Sequence, residues 1–84
     1  MALDALPAYS PAAASIVVGG IYRHYKNLDY KVLSVGRHSE TLEEMVVYQA
    51  LYGEGNIWIR PVSMFEEEVV WQGQVCCRFS LCQN

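Results

Sequence analysis

His38-Ser39-Glu40-Thr41 gathers an imidazole, a hydroxyl and a carboxylate in one short stretch, the groups from which hydrolytic nucleophiles are assembled. A serine nucleophile needs a base within hydrogen-bond reach and a third group that orients that base. On an extended strand His38 and Glu40 share a face while Ser39 points away. His24 could supply the base from a neighbouring strand, but no glycine-rich elbow or helix N-terminus offers an oxyanion hole. The stretch therefore reads first as a satisfied turn, with His38 donating to Glu40 and Ser39 or Thr41 capping backbone groups. Hydrolysis through His38 is the third of three functional readings.

Arg23, His24, Lys26, Arg37 and His38 form a second constellation. They fall on two successive strand-like runs whose hairpin would bring Arg23 or His24 close to Arg37 or His38. Forked guanidinium contacts at such a site suit a carboxylate or a phosphate. Glu40, Glu43 or Glu54 could instead neutralise these bases from within. Trp58 and Arg60, two positions apart on one side of a strand, are residue types enriched in binding hot spots. Cys76, Cys77 and Cys82 form no CxxC pair and neither His lies near them in sequence, so no metal site is expected and reduced thiols are the default. No cofactor is implied.

The elements that must position these groups are short. A chain of 84 residues has room for one thin core, which excludes dinucleotide-binding and barrel enzyme folds of about 150 to 250 residues. Hydrophobic residues make up 52% and charged residues 18%, a folded rather than a disordered composition. Six Tyr, two Trp and two Phe favour strands. Strand-like runs cover 21–25, 30–38, 45–52, 57–62, 68–72 and 75–82, with turn residues between them. In the last run Val75, Cys77, Phe79 and Leu81 alternate with Cys76, Arg78, Ser80 and Cys82, which predicts an apolar and a polar face.

Thr41-Leu42-Glu43-Glu44 has the form of a capping box, so a helix over 42–52 competes with a strand there. The β-branched and aromatic run Val46-Val47-Tyr48 and the glycine turn after it favour the strand. Ser63 to Glu67 predicts a single helical turn, with Met64 and Phe65 plugging one end of the fold. A four-residue loop at 53–56 would pair Tyr52 with Ile57, Ala50 with Ile59 and Gln49 with Arg60. That register hides the isoleucines with Val46, Tyr48, Ala50 and Tyr52, and turns Trp58 and Arg60 outward on a face too apolar to be simply solvated.

Net charge is −3, and it is unevenly spread. Residues 20–38 are basic, whereas Glu40, Glu43, Glu44, Glu54, Glu66, Glu67 and Glu68 oppose Arg60 alone in the next third. Those acids argue against nucleic acid as a partner. No run of 18 apolar residues suggests a membrane span, and Pro7, Pro11 and the lack of a basic start argue against a signal peptide, so a cytoplasmic setting is expected. Residues 1–18 read as an extended N-terminal arm lying on its own barrel or on a neighbouring chain, and 19–84 as the domain.

Several of these motifs also resemble a known family. Gly20-Ile21-Tyr22-Arg23-His24-Tyr25-Lys26, Arg37-His38-Ser39-Glu40-Thr41-Leu42-Glu43-Glu44, Val47-Tyr48, Ala50-Leu51-Tyr52-Gly53-Glu54, Trp58 with Arg60-Pro61, and Met64-Phe65 occur in the order found in the small bacterial family catalogued as domain of unknown function 1653. The resemblance spans about residues 19 to 82. It implies a short single domain or module with no established activity and a small β-barrel of SH3-like type. Two positions depart from the family pattern: Asn27 stands where glycine is usual, and Cys77 precedes Arg78-Phe79 where proline is expected.

Together these readings predict an all-β fold, an SH3-like barrel of five or six short antiparallel strands with one helical turn. They predict a non-catalytic binding module holding a small anionic ligand or peptide carboxylate at Arg23, His24, Arg37, His38, Ser39, Glu40, Trp58 and Arg60. The alternative is a homo-oligomeric assembly module, self-associating through the Trp58 face or the N-terminal arm.

Overall fold

The computed structural model describes residues 6–83. Seven strands and two short helices follow one another: α1 (Pro11–Ala14), β1 (Ile21–His24), β2 (Leu28–Arg37), β3 (Glu44–Ala50), β4 (Ile57–Pro61), α2 (Val62–Phe65), β5 (Glu68–Trp71), β6 (Gln74–Cys77) and β7 (Phe79–Gln83). The strands form an antiparallel five-stranded sheet ordered β4-β3-β2-β1-β7 and a two-stranded ribbon of β5 and β6. The fold is all-β, but the sheets do not close into a barrel, because β4 and β7 are free edges. No helix among the described residues is long and apolar enough to cross a membrane.

The seventh strand arises because the expected run 75–82 divides at Arg78. The Arg78 N–H donates to the Glu67 carbonyl (2.9 Å) and its carbonyl accepts the Tyr25 N–H (3.0 Å). The chain thus leaves the ribbon at Cys77 and enters the main sheet at Phe79. The period-two apolar face of this run does not become a buried face. Phe79 is buried, whereas Val75 and Leu81 are exposed. Alternation reports burial only while one sheet surface persists along the strand.

Residues 44–50 are a strand, paired on both sides. The rival capping box resolves into a turn in which the Thr41 hydroxyl accepts the Glu43 N–H (3.2 Å) and Leu42 takes φ 64°. The helical turn forms as expected, shifted to Val62–Phe65, and it buries Val62 and Phe65. Asn27 lies at φ 71° in the β1–β2 turn. Glycine suits such a position best and asparagine tolerates it, so the departure from the family pattern keeps the same turn.

The core is aromatic. Val32, Val46 and Phe65 are fully buried, with Tyr22, Tyr30, Tyr48 and Phe79 around them. Phe65 stacks on Phe79 (centroids 4.3 Å apart), and Tyr22 and Tyr48 meet Phe65 edge-on. Edge and offset contacts add to area burial by about 0.5–1.5 kcal/mol per pair. Tyrosine hydroxyls are satisfied at the margins: that of Tyr22 accepts the Val17 N–H (3.0 Å), and Tyr30 and Tyr52 bond to each other.

The N-terminal arm lies on its own sheet over its described part. Ser10 caps α1 and its hydroxyl and N–H both donate to the Glu44 carboxylate. Ala13 and Ile16 join the core.

The β3–β4 hairpin differs from the expected one. Met45 pairs with Pro61, Val46 with Arg60, Val47 with Ile59, Tyr48 with Trp58 and Gln49 with Ile57. The loop spans 51–56 rather than 53–56, closed by the Ala50 N–H on the Asn56 carbonyl (2.9 Å) and by Gln49 Nε2 on the Gly55 carbonyl (3.0 Å). Gly53 and Gly55 supply its positive φ values of 57° and 69°. The register therefore moves by an odd number of residues, which exchanges the two faces of β4. Ile57 and Ile59 are exposed (57% and 64%) rather than hidden, and Trp58 and Arg60 lie on the face that carries Val46 and Tyr48.

Candidate functional site

The predicted site residues separate into two groups. Arg37 sits at one end of β2, opposite Glu44, and His24 pairs with Leu28 at the other. A ten-residue strand holds those ends about 30 Å apart. The hairpin does not bring Arg23 or His24 to Arg37 or His38.

At the Arg37 end every polar group is spoken for within the chain or faces water. Arg37 donates to the Pro7 carbonyl and its guanidinium lies over the Tyr9 ring, 4.5 Å from the centroid. His38 Nδ1 accepts the N–H groups of Glu40 (3.0 Å) and Thr41 (3.3 Å), so the ring organises the turn as an acceptor rather than by donating to the Glu40 side chain. Ser39 and Glu40 are exposed, and the Ser39 hydroxyl has no hydrogen bond among the described residues.

At the His24 end the sheet presents a different arrangement. His24, Trp58 and Arg60 line a cavity of about 180 Å³ with Tyr30, Tyr48 and Phe79. The β3–β4 register sets Trp58 across from Tyr48, and Arg60 Nε donates to the Tyr48 hydroxyl (3.1 Å). Arg60 is half-buried and pairs with no carboxylate among the described residues. Arg78, by contrast, is neutralised by Glu67, and Arg23 is gripped by Asp29 through Nε (2.8 Å) and Nη2 (3.2 Å).

His24 takes its character from these neighbours. Burial pushes its pKa below the ordinary histidine value, and the positive charges of Arg78, Lys26 and Arg60 push it further. Its Nδ1 accepts the Lys26 N–H (3.1 Å), so the neutral ring carries its proton on Nε2. Burial, then the Tyr52 hydroxyl, pushes the Tyr30 pKa upward, and Tyr30 remains a neutral hydroxyl throughout the physiological range. The cleft thus combines aromatic walls, a neutral imidazole and a guanidinium with donors to spare. That combination suits a planar or carboxylate-bearing anion.

Tyr30, Tyr48 and Phe79 belong to this cleft although their sequence context marks them only as packing residues. The one signal pointing to them is period: with the correct loop length Tyr48 and Trp58 become cross-strand partners. A second, larger cavity of about 580 Å³ lies on the opposite side of His24, walled by Tyr25 and Trp71 and by Cys76, Cys77 and Cys82. Sequence spacing does not reveal it, because it forms between β1, β7 and the β5–β6 ribbon. Among the described residues no group of three His, Cys, Asp or Glu side chains is placed to hold a metal.

The fold has relatives. No match is found among curated proteins. A crystal structure of a DUF1653 protein from Bordetella bronchiseptica is similar at 30% sequence identity and a TM-score of 0.76, covering 84% of this chain and 92% of that one. Residues 20–81 match the family described as protein of unknown function (DUF1653). His24, Trp58 and Arg60 lie inside that match and the N-terminal arm lies outside it: the chain belongs to the DUF1653 family.

Proposed function

We propose that this protein is a non-catalytic binding module that takes a small carboxylate-bearing ligand, free or at a peptide end, in the cleft of His24, Trp58 and Arg60. The observation that carries this reading is the half-buried Arg60 guanidinium, held at one nitrogen by Tyr48 and otherwise unpaired among the described residues, in the lining of an aromatic cleft. A buried or half-buried cation without an anion is costly, and a carboxylate relieves that cost through a forked contact. The cleft volume suits a carboxylate head with a small planar body. Arg23, Arg37, His38, Ser39 and Glu40 drop out of this ligand site, since none of them lines the cleft and the Arg37 end lies about 30 Å away along β2.

Benzoate and its uncharged counterpart benzamide test the reading. A ligand at about 100 times its Kd stabilises the folded state by about 2.7 kcal/mol, which thermal unfolding resolves. Benzoate is expected to raise the Tm and to quench Trp58 fluorescence, benzamide to do neither, and Arg60→Ala to abolish the benzoate effect while leaving the fold intact. Equal effects of the two compounds, or a full benzoate shift in Arg60→Ala, overturn it.

A second reading, self-association, is favoured by one observation: Ile57 and Ile59 are exposed on an edge strand whose outer backbone groups are unpaired. The surface involved is then the isoleucine face rather than the Trp58 face. Light scattering is expected to show a dimer that Ile59→Lys dissociates; a wild-type monomer excludes it.

A further inference from the structure

We propose that the 580 Å³ cavity beside β1 is a thiolation site, in which Cys82 forms a mixed disulfide with a small peptide disulfide bearing carboxylates. This inference is independent of the carboxylate cleft and uses different residues, His24 excepted. The cavity volume falls within the roughly 300–1,000 Å³ typical of small-molecule sites. Three free thiols line it, Cys77 and Cys82 exposed and Cys76 half-buried. Exchange needs an accessible thiol beside a space that admits the incoming disulfide, and Cys82 is exposed in the lining of this cavity.

The walls specify the occupant. Tyr25 and Trp71 meet edge to face (5.2 Å between centroids), and the Lys26 ammonium stands 5.9 Å from both ring centres. Asn27, Gln72 and Gln74 add amide groups to the lining. Amides suit the backbone of a short peptide, and the Arg23 guanidinium in the lining suits a carboxylate through the nitrogen that Asp29 leaves free.

The three thiols are not equivalent. Cys77 faces Glu68 across the ribbon. Cys76 faces Val69 and is half-buried. Cys82 is exposed, and its S–H donates to the Ile21 carbonyl (3.2 Å), which fixes the sulfur against β1. Arg23 lines the same cavity as Cys82. Asp29 occupies Nε and Nη2 of Arg23, and Nη1 has no partner among the described residues.

The chemistry balances. The Cys82 thiol loses its proton to solvent, and the thiolate attacks one sulfur of the incoming disulfide. The reagent's S–S bond breaks as the Cys82 S–S bond forms. The leaving thiolate takes up a proton, so one disulfide is consumed, one is made, and the reagent's released half is reduced as Cys82 is oxidised.

The test uses the full chain and glutathione disulfide, read by intact mass and peptide mapping. The expected result is a gain of one glutathione, located on Cys82, that is absent in Cys82→Ser and retained in Cys76→Ser and Cys77→Ser. Serine keeps a donor to Ile21, and circular dichroism of Cys82→Ser verifies the fold. Arg23→Gln is expected to lower the ratio of the rate with glutathione disulfide to that with uncharged hydroxyethyl disulfide by about two- to fivefold, the scale of an exposed ion pair. No addition, addition spread over Cys76 or Cys77, or a ratio unmoved by Arg23→Gln overturns the proposal.

Discussion

At one end of β2, Arg37 gives its guanidinium to the Pro7 carbonyl and the Tyr9 ring, and His38 folds a turn around its own Nδ1. At the other end Arg60 keeps all but one of its donors free among the described residues, and His24 stands neutral among cations. Both ends pair an arginine with a histidine, and both read as anion sites by residue type. The difference is made by what the rest of the chain lays over them. The N-terminal arm covers the Arg37 end through Ser10, Tyr9 and the buried Ala13 and Ile16, while only aromatic rings line the His24 end. A cation's availability is thus decided by its neighbours in space rather than by its neighbours in sequence.

Three variants press on this contrast. Ile16→Ala is expected to have the largest effect, about 2–5 kcal/mol in urea unfolding, because a buried isoleucine leaves a cavity under the arm; a loss below about 1 kcal/mol would show that the arm merely rests on the covered end. Ser10→Ala comes next, at about 1 kcal/mol for a lost helix cap, with a change in acid stability. Ser10's hydroxyl, then its N–H, holds the Glu44 carboxyl below its ordinary value of 4.5. That contribution is present above this value and lost as pH falls through the depressed one. Urea midpoints across the acid range should show a shallower acid loss in Ser10→Ala, and an unchanged profile would refute the linkage.

His24→Gln is the smallest and addresses the open end. Burial and the three cations depress the His24 pKa below 6.5, so the unfolded chain binds its proton first. Stability is full above that value and declines as pH drops beneath it, until the folded pKa is passed. Urea midpoints either side of pH 6.5 should differ in the wild type by more than in His24→Gln. An equal difference in both proteins would mean that the imidazole is not held neutral by its surroundings.

Much of the molecule was legible from local pattern. The all-β class, the strand at Val46-Val47-Tyr48 and the helical turn before Phe65 follow from β-branching, aromatic content and glycine or capping signals, which act within a few residues. Trp58, Arg60 and His24 were identifiable as site candidates by type, but the sequence placed His24 beside Arg37 and His38, and only the folded sheet sets it with Trp58 and Arg60. The face of β4 was not legible, since Ile57 pairs with Gln49 rather than with Tyr52, a register shift of three that turns each side chain over. Nor was the unclosed barrel legible: it depends on where Arg78 releases one sheet and joins another.

The amino-acid order alone determined which segments extend, which turn, and which carry charge, because steric preference and side-chain period are properties of neighbouring residues. Tertiary structure alone decided that Arg37 is covered and Arg60 open, and that three cysteines on two strands, β6 and β7, share one cavity. Those outcomes depend on register and on contacts between residues dozens of positions apart, such as Ser10 with Glu44, and a net hydrogen-bond or charge balance exists only once both partners are in place.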